Sequence, residues 1–278
     1  MSTDRIHRTT SADGTEIAGR VVGDGPPLVL LHGGLGCGET AFVELLPHLT
    51  GHCTCFLPST RGRGLSADSG DLTGERVFED VLAFLVSIGE PVPVFGHSSG
   101  GLLTLAAAAF SDAVSSVIAY EPAVFDVAGE ELLRDWADTI PPMRAYVDQG
   151  RPAEGARQFM ALVYNDEEME AADAAGLPDL CAPNVPADLG ICEHLDPAAG
   201  VSLTAPDLLA TIAVPVLLLQ GTRTQPWFVG GNQHVATHVP DAEIRLIPGA
   251  GHGGPQLRPE PIATELVRFL QRRAPAPA

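Results

Sequence analysis

In Pro91-Val92-Pro93-Val94-Phe95-Gly96-His97-Ser98-Ser99-Gly100-Gly101-Leu102-Leu103 an apolar run breaks into glycine, histidine and two serines, then resumes. The first run suits a strand buried on both faces. The alanine- and leucine-rich stretch 99–110 suits a helix. Between them, Gly96-His97-Ser98-Ser99-Gly100 fits G-x-S-x-G, a pattern that carries meaning where a strand precedes it and a helix follows. So tight a turn strains the backbone of its central residue. Small residues two before and two after let neighbouring chain pass close by. Ser98 Oγ is therefore expected above the sheet at a helix N-terminus, where free N–H groups favour developing negative charge. Ser98 holds the central position and is the expected nucleophile, with Ser99 supplying a backbone N–H. His97 is expected to pack or bond beside the turn, because a general base must come from a separate segment to face the serine.

Outward from this turn, strands and helices alternate. Segments 5–9 and 16–22, split by Ala12-Asp13-Gly14, read as a hairpin. Further strands are expected at 27–31, 53–57, 114–120, 214–220 and 244–247. Helices are expected at 40–49, 75–88 and 261–272, with Thr73 as a cap for the second and a frayed Ala-Pro tail after the third. In 75–88, Val77, Val81, Phe84, Leu85 and Ile88 form one stripe at helical period. Such alternation predicts a mostly parallel sheet flanked by helices. The stretch 122–206 breaks the rhythm and reads as short helices at 130–139, 143–149, 153–164 and 167–174. The expected organisation is a core in two parts, 1–121 and 207–278, with a helical cap, 122–206, inserted between them.

Two further loops complete a chemical set. His32-Gly33-Gly34-Leu35-Gly36 follows a buried strand, and glycine there lets the backbone approach a substrate carbonyl. Gly34 N–H and Ser99 N–H are the expected oxyanion hole. His252, in Gly249-Ala250-Gly251-His252-Gly253-Gly254 after the last strand, is the expected general base. The pairs His48/His52 and His234/His238 have i,i+4 spacing but no third ligand pattern, so no metal site is expected.

Together with Arg61-Gly62-Arg63-Gly64-Leu65-Ser66, these segments resemble the α/β-hydrolase superfamily over nearly the whole chain outside the insert. The resemblance implies the α/β-hydrolase fold, a catalytic triad and no cofactor. One departure stands out. Many members carry the triad acid in a pattern like L-L-x-G-x-x-D, whereas here Leu217-Leu218-Leu219-Gln220-Gly221-Thr222-Arg223-Thr224 ends in threonine, and neither Asp nor Glu occurs between Gln220 and Pro240. Threonine cannot stabilise an imidazolium as a carboxylate does. In a subset of the superfamily, fungal zearalenone lactonases among them, the acid ends the strand after the nucleophile helix. Here that strand ends in Tyr120-Glu121-Pro122, so Glu121 is the expected acid and Asp126 the runner-up. The resemblance to a Ser-His-Glu lactonase or esterase is the closer one. A haloalkane dehalogenase needs aspartate where Ser98 stands.

Composition narrows the partners. The chain has 278 residues, 45% of them hydrophobic, and a net charge of −19 from 16 basic and 35 acidic side chains, with no lysine. A folded core is affordable at that apolar content, and the charge favours solubility. It disfavours nucleic acid, anionic membrane surfaces and strongly anionic substrates. Residues 1–10 lack the apolar region of a signal peptide, and no apolar run reaches membrane-spanning length. The five cysteines are expected as reduced thiols in a cytoplasmic protein, although Cys181 and Cys192 are spaced so that they could approach. Trp136, Met143, Phe159, Met160 and Tyr164 of the insert, with Trp227 of the core, are candidate pocket-lining residues. An apolar lining favours a small hydrophobic ester or lactone. A carbon–carbon bond hydrolase, a non-hydrolytic polyketide-tailoring enzyme and a non-catalytic ligand-binding protein are the alternatives on such a fold. Oligomeric state is not legible.

Overall fold

The computed structural model describes residues 5–194 and 202–273. The tail 274–278 expected to fray, and 195–201 of the expected insert, lie outside the described residues.

Eight strands form one sheet: β1 (Arg5–Thr10), β2 (Glu16–Gly23), β3 (Pro27–Leu31), β4 (Thr54–Pro58), β5 (Val92–His97), β6 (Val114–Tyr120), β7 (Val216–Gly221) and β8 (Ala242–Ile247). Their order is β1-β2-β4-β3-β5-β6-β7-β8. The pairs β1–β2 and β2–β4 are antiparallel and all others parallel. This is the α/β-hydrolase fold.

The continuous apolar strands follow from burial of both faces. Leu28, Leu30, Phe95, Ile118, Leu217 and Leu219 point into one core layer. Their sequence neighbours Val29, Val94, Val117, Val216 and Leu218 point into the other. Each such side chain contributes roughly 1.5–3 kcal/mol on burial. Helix α1 (Gly74–Ser87) buries Val77, Val81, Phe84 and Leu85, the stripe read from the sequence. Helix α2 (Ser99–Phe110) begins directly after the serine turn.

Between β6 and β7 lie α3 (Glu130–Asp148), α4 (Pro152–Val163), α5 (Asp166–Ala174), α6 (Leu177–Cys181), α7 (Val185–His194) and α8 (Pro206–Leu209). Helices α3 to α7 share an apolar cluster that includes Met143, Ala156, Met160, Val185 and Leu189 and is joined by Leu35 and Phe228, whereas Leu209 of α8 packs into the core beneath the sheet. After β7 come α9 (Pro226–His238), α10 (Gly254–Leu257) and α11 (Pro259–Arg273).

Several local expectations change. The helix expected over 40–49 is a series of turns with one short 3₁₀ segment, Leu46–His48, since Pro47 interrupts regular helix. The two helices expected at 130–139 and 143–149 are one, α3, which runs through Pro141 and Pro142. Packing of Thr139 and Met143 on its buried side holds it across the prolines. Thr73 precedes α1 but does not cap it; its hydroxyl donates to Asp71 instead. Helices α6, α7 and α9 are not marked in the sequence by a strong apolar stripe. Cys181 and Cys192 are free thiols, as are the other three cysteines.

Candidate active site

The parallel strands set the geometry. His32 follows β3, Ser98 follows β5, Glu121 follows β6, Thr224 follows β7 and His252 follows β8, all at the carboxyl ends of their strands. Ser98 has φ 55° and ψ −119°, a conformation that only a tight, over-determined turn maintains. The flanking glycines show why. A Cβ on Gly96 would lie 2.3 Å from the Gly100 carbonyl oxygen, and one on Gly100 would lie 2.3 Å from that of Leu31. Among the described residues, the non-glycine positions with positive φ are Leu35, Ser98 and Glu121. All three border the same site, each holding roughly 1–3 kcal/mol of strain.

Glu121 is fully buried. Its Oε1 accepts the Gly221 N–H at 2.8 Å, and its Oε2 accepts the Thr224 hydroxyl at 2.7 Å. His252 Nδ1–H donates to the same Oε2 at 2.9 Å. Thr224, at the position where the sequence resemblance looks for the acid, is thus a hydrogen-bond donor to the Glu121 carboxylate. Asp126 is engaged elsewhere: its Oδ2 accepts the hydroxyls of Ser202 and Thr204.

The His252 loop is gripped from several sides. The Phe228 ring stacks on the imidazole, 3.7 Å between centroids and 9° between planes. His97 Nε2–H donates to the His252 carbonyl at 3.0 Å, and the Tyr120 hydroxyl to that of Gly251 at 2.6 Å. Gly253 N–H donates to Glu168 Oε1 of α5 at 2.8 Å. With Nδ1–H on Glu121, Nε2 keeps its lone pair. Among the described residues the His252 side chain hydrogen-bonds to Glu121 alone. It is not bonded to Ser98 here, although both residues line one cavity. Such contacts commonly tighten only when substrate is bound.

Burial opposes charge on both members of the pair. It pushes the Glu121 carboxyl up, to about 8, against the pull of the Thr224 hydroxyl and the Gly221 N–H. It pushes the His252 imidazole down, to about 3. The Thr224 hydroxyl and the Gly221 N–H pull the carboxyl back toward its ionised form, the form that accepts His252 Nδ1–H while the imidazole stays neutral. His32 is likewise neutral: burial takes it to about 3, its Nδ1–H donates to the Gly33 carbonyl, and its Nε2 accepts the Thr60 N–H.

Among the described residues, neither Gly34 N–H nor Ser99 N–H has an acceptor. The Gly34 loop is held by an ion pair that the sequence did not reveal. Asp188 of α7 accepts Leu35 N–H at 2.7 Å and Arg63 Nη2 at 2.7 Å, and Arg63 Nη1 donates to the Gly36 carbonyl. The neighbouring Arg61 is completely buried and paired with Asp80 and Asp13, which fixes the loop that carries Arg63.

Two open cavities meet at Ser98. The smaller has Met160, Tyr164 and His252 in its wall. The larger has Trp136, Trp227, Leu102 and Phe125. Ser98, Gly34, Phe159 and Val163 border both. Of the pocket-lining candidates, Met143 lines neither; it is buried within the cluster of the inserted helices. Among the described residues no group of three or more His, Cys, Asp or Glu is placed to hold a metal ion. No described helix is long and apolar enough to cross a membrane.

Glu168, Asp188 and Phe228 were not singled out from the sequence, and Arg63 only as part of the segment 61–66, without a role of its own. Glu168 left a local signal: Asn165 and Glu168 form a capping box at the start of α5, a pattern visible as N-x-x-E.

A serine at the apex of a strand–helix turn, beside a histidine hydrogen-bonded to a buried carboxylate, defines a hydrolase-type site on an α/β-hydrolase fold. The chain belongs to the alpha/beta hydrolase family, which it matches over residues 28–265. It is 28% identical over 266 residues to the pimeloyl-[acyl-carrier protein] methyl ester esterase of Xanthomonas campestris pv. campestris (strain B100), covering 90% of this chain and 97% of that protein. Among solved structures it is similar to an alpha/beta hydrolase from Sphaerobacter thermophilus, with 27% identity, TM-score 0.73, and coverage of 95% of this chain and 100% of that one. An esterase from Rhodococcus sp. ECU1013 shares the fold at 22% identity, TM-score 0.75, and coverage of 97% and 99%.

Proposed function

We propose that the chain is a serine hydrolase acting on a hydrophobic carboxylic ester or lactone. The observation that carries this reading is the His252 Nδ1–H bond to Glu121 Oε2 at 2.9 Å, in a residue that lines one cavity with Ser98. Ester hydrolysis by the Xanthomonas relative supports the bond type, and the apolar cavity walls support the hydrophobic substrate.

In this mechanism Ser98 Oγ attacks the ester carbonyl and gives its proton to His252 Nε2. Gly34 N–H and Ser99 N–H receive the oxyanion; loss of one such donor costs roughly 3–4 kcal/mol of transition-state stabilisation. The imidazolium, stabilised by Glu121, protonates the departing alkoxide and leaves an acyl group on Ser98. His252 then takes a proton from water, hydroxide adds to the acyl carbonyl, and Ser98 recovers its proton as the acid leaves. For a lactone, the alcohol and acid remain on one product. The segment 122–206 acts as the cap over Ser98. Trp136, Phe159, Met160, Tyr164 and Trp227 contact the substrate.

A screen of p-nitrophenyl esters and macrolactones, run beside Ser98→Ala, tests the reading. Turnover that Ser98→Ala abolishes without loss of fold is the expected result. Ester hydrolysis that persists in Ser98→Ala overturns it.

A further inference from the structure

The larger cavity beside Ser98 is apolar over most of its wall, yet two buried N–H donors on residues lining it lack an acceptor among the described residues. They are Arg63 Nε and Trp136 Nε1. Arg63 is almost completely buried, and its other nitrogens are in use: Nη1 donates to the Gly36 carbonyl and Nη2 to Asp188. The Trp136 ring is fixed by edge-on contacts with Phe125 and Phe159. An N–H left unpaired in an apolar site is unfavourable, and native structures seldom keep two at one place without an acceptor that arrives later.

We propose that this cavity takes a part of the substrate that is apolar but carries a neutral oxygen acceptor, a keto, ether or hydroxyl oxygen. Arg63 and Trp136 bind that oxygen and set the enzyme's preference for it. The proposal rests on the ester-hydrolase reading and narrows its substrate class. A carboxylate does not fit. The Arg63 charge is already matched by Asp188, whose Oδ1 holds Nη2 at 2.7 Å and whose Oδ2 is taken by Leu35 N–H. A second anion there would meet Asp188 unpaired, in a chain of net charge −19. The two donors come from separate parts of the chain, Arg63 from the core loop after β4 and Trp136 from α3.

The test compares matched esters in which one methylene, in the acyl chain or in the alcohol part, is replaced by a keto or ether oxygen, with a carboxylate-bearing ester as the third arm. Each hydrogen bond regained is expected to favour the oxygenated ester in kcat/KM by roughly three- to tenfold, on one side of the ester bond only. Trp136→Phe keeps the ring and removes the N–H. Arg63→Lys keeps a cation for Asp188 and removes Nε. Each is expected to bring the oxygenated-to-methylene ratio toward one.

A binding arm separates this proposal from the chemistry. The chain's two tryptophans, Trp136 and Trp227, both line this cavity, so intrinsic fluorescence reports its occupancy. In Ser98→Ala, 2-nonanone is expected to bind more tightly than its methylene counterpart 2-methylnon-1-ene, and Trp136→Phe in that background is expected to erase the difference. The proposal is overturned if the ketone shows no advantage, if both variants leave the preference intact, or if the carboxylate is preferred. Tight ketone binding without turnover of any ester would instead overturn the ester-hydrolase reading and leave the oxygen subsite standing.

Discussion

Glu121→Gln isolates the charge of the carboxylate from its shape. Oε1 is held by a backbone donor, Gly221 N–H, so the glutamine carbonyl oxygen takes that place and the amide nitrogen takes the place of Oε2. There it faces the Thr224 hydroxyl and His252 Nδ1. The threonine hydroxyl can rotate to accept from the amide. The imidazole cannot keep Nδ1–H against an N–H donor, so it shifts to the tautomer with Nε2–H, which has no lone pair to take the serine proton. The variant also loses the charge that stabilises the imidazolium. From the behaviour of triad acids, kcat falls by roughly 10²–10⁴, or about 2.7–5.4 kcal/mol of barrier. Stability should not fall, because burial already disfavours the ionised carboxylate in the folded chain. The assay is p-nitrophenyl ester hydrolysis at saturating substrate, after circular dichroism has verified the fold. The reasoning is refuted if Glu121→Gln stays near the wild-type rate while Asp126→Asn collapses.

Three further outcomes follow from the same geometry. The Thr224 hydroxyl lowers the Glu121 pKa against a burial effect that raises it, so activity is lost as pH falls through protonation of the His252–Glu121 pair; Thr224→Val should move that acidic limb of kcat/KM up by roughly one unit or more, and Thr224→Ala should change plateau kcat less than about tenfold. An unmoved limb would show that the hydroxyl does not act on the pair. Phe159 stands between the two cavities and against Gly34, so Phe159→Ala should raise kcat/KM for bulky esters relative to small ones, whereas equal effects on both would count against a place in the substrate wall. Gly100→Ala drives a Cβ to 2.3 Å from one backbone carbonyl oxygen and 2.5 Å from another; overpacking of this kind costs about 1–3 kcal/mol, seen as a Tm several degrees lower in thermal melts, and an unchanged Tm would contradict the close approach.

The fold was legible because its signals are local. Buried parallel strands write continuous apolar runs, and β3, β5, β6 and β7 each carry one. The turn at Ser98 declares itself by Gly96 and Gly100, which no other residue can replace at those distances. The hydrogen bond between Glu121 and His252 was anticipated for a different kind of reason, the absence of any carboxylate near Thr224. The features that escaped join residues far apart in the chain. Nothing around Asp188 says that it will meet Arg63 and Leu35, and nothing around Glu168 says that it will hold Gly253 N–H. Helices α6, α7 and α9 escaped because their apolar residues are not confined to one face, or because the helix is too short to show a period. Length likewise misled at 40–49, where Phe42, Leu45, Leu46 and Leu49 have helical spacing but pack as turns under Pro47.

The central claim is that Ser98 is a nucleophile activated by His252. A fluorophosphonate probe tests it most directly, because it reacts with a serine only where a base and an oxyanion site are assembled around it. Incubation with the probe followed by peptide mass spectrometry should place a single adduct on Ser98. Labelling should be lost in Ser98→Ala and strongly slowed in His252→Ala. A folded chain that stays unlabelled, or that is labelled equally well without His252, would contradict the account.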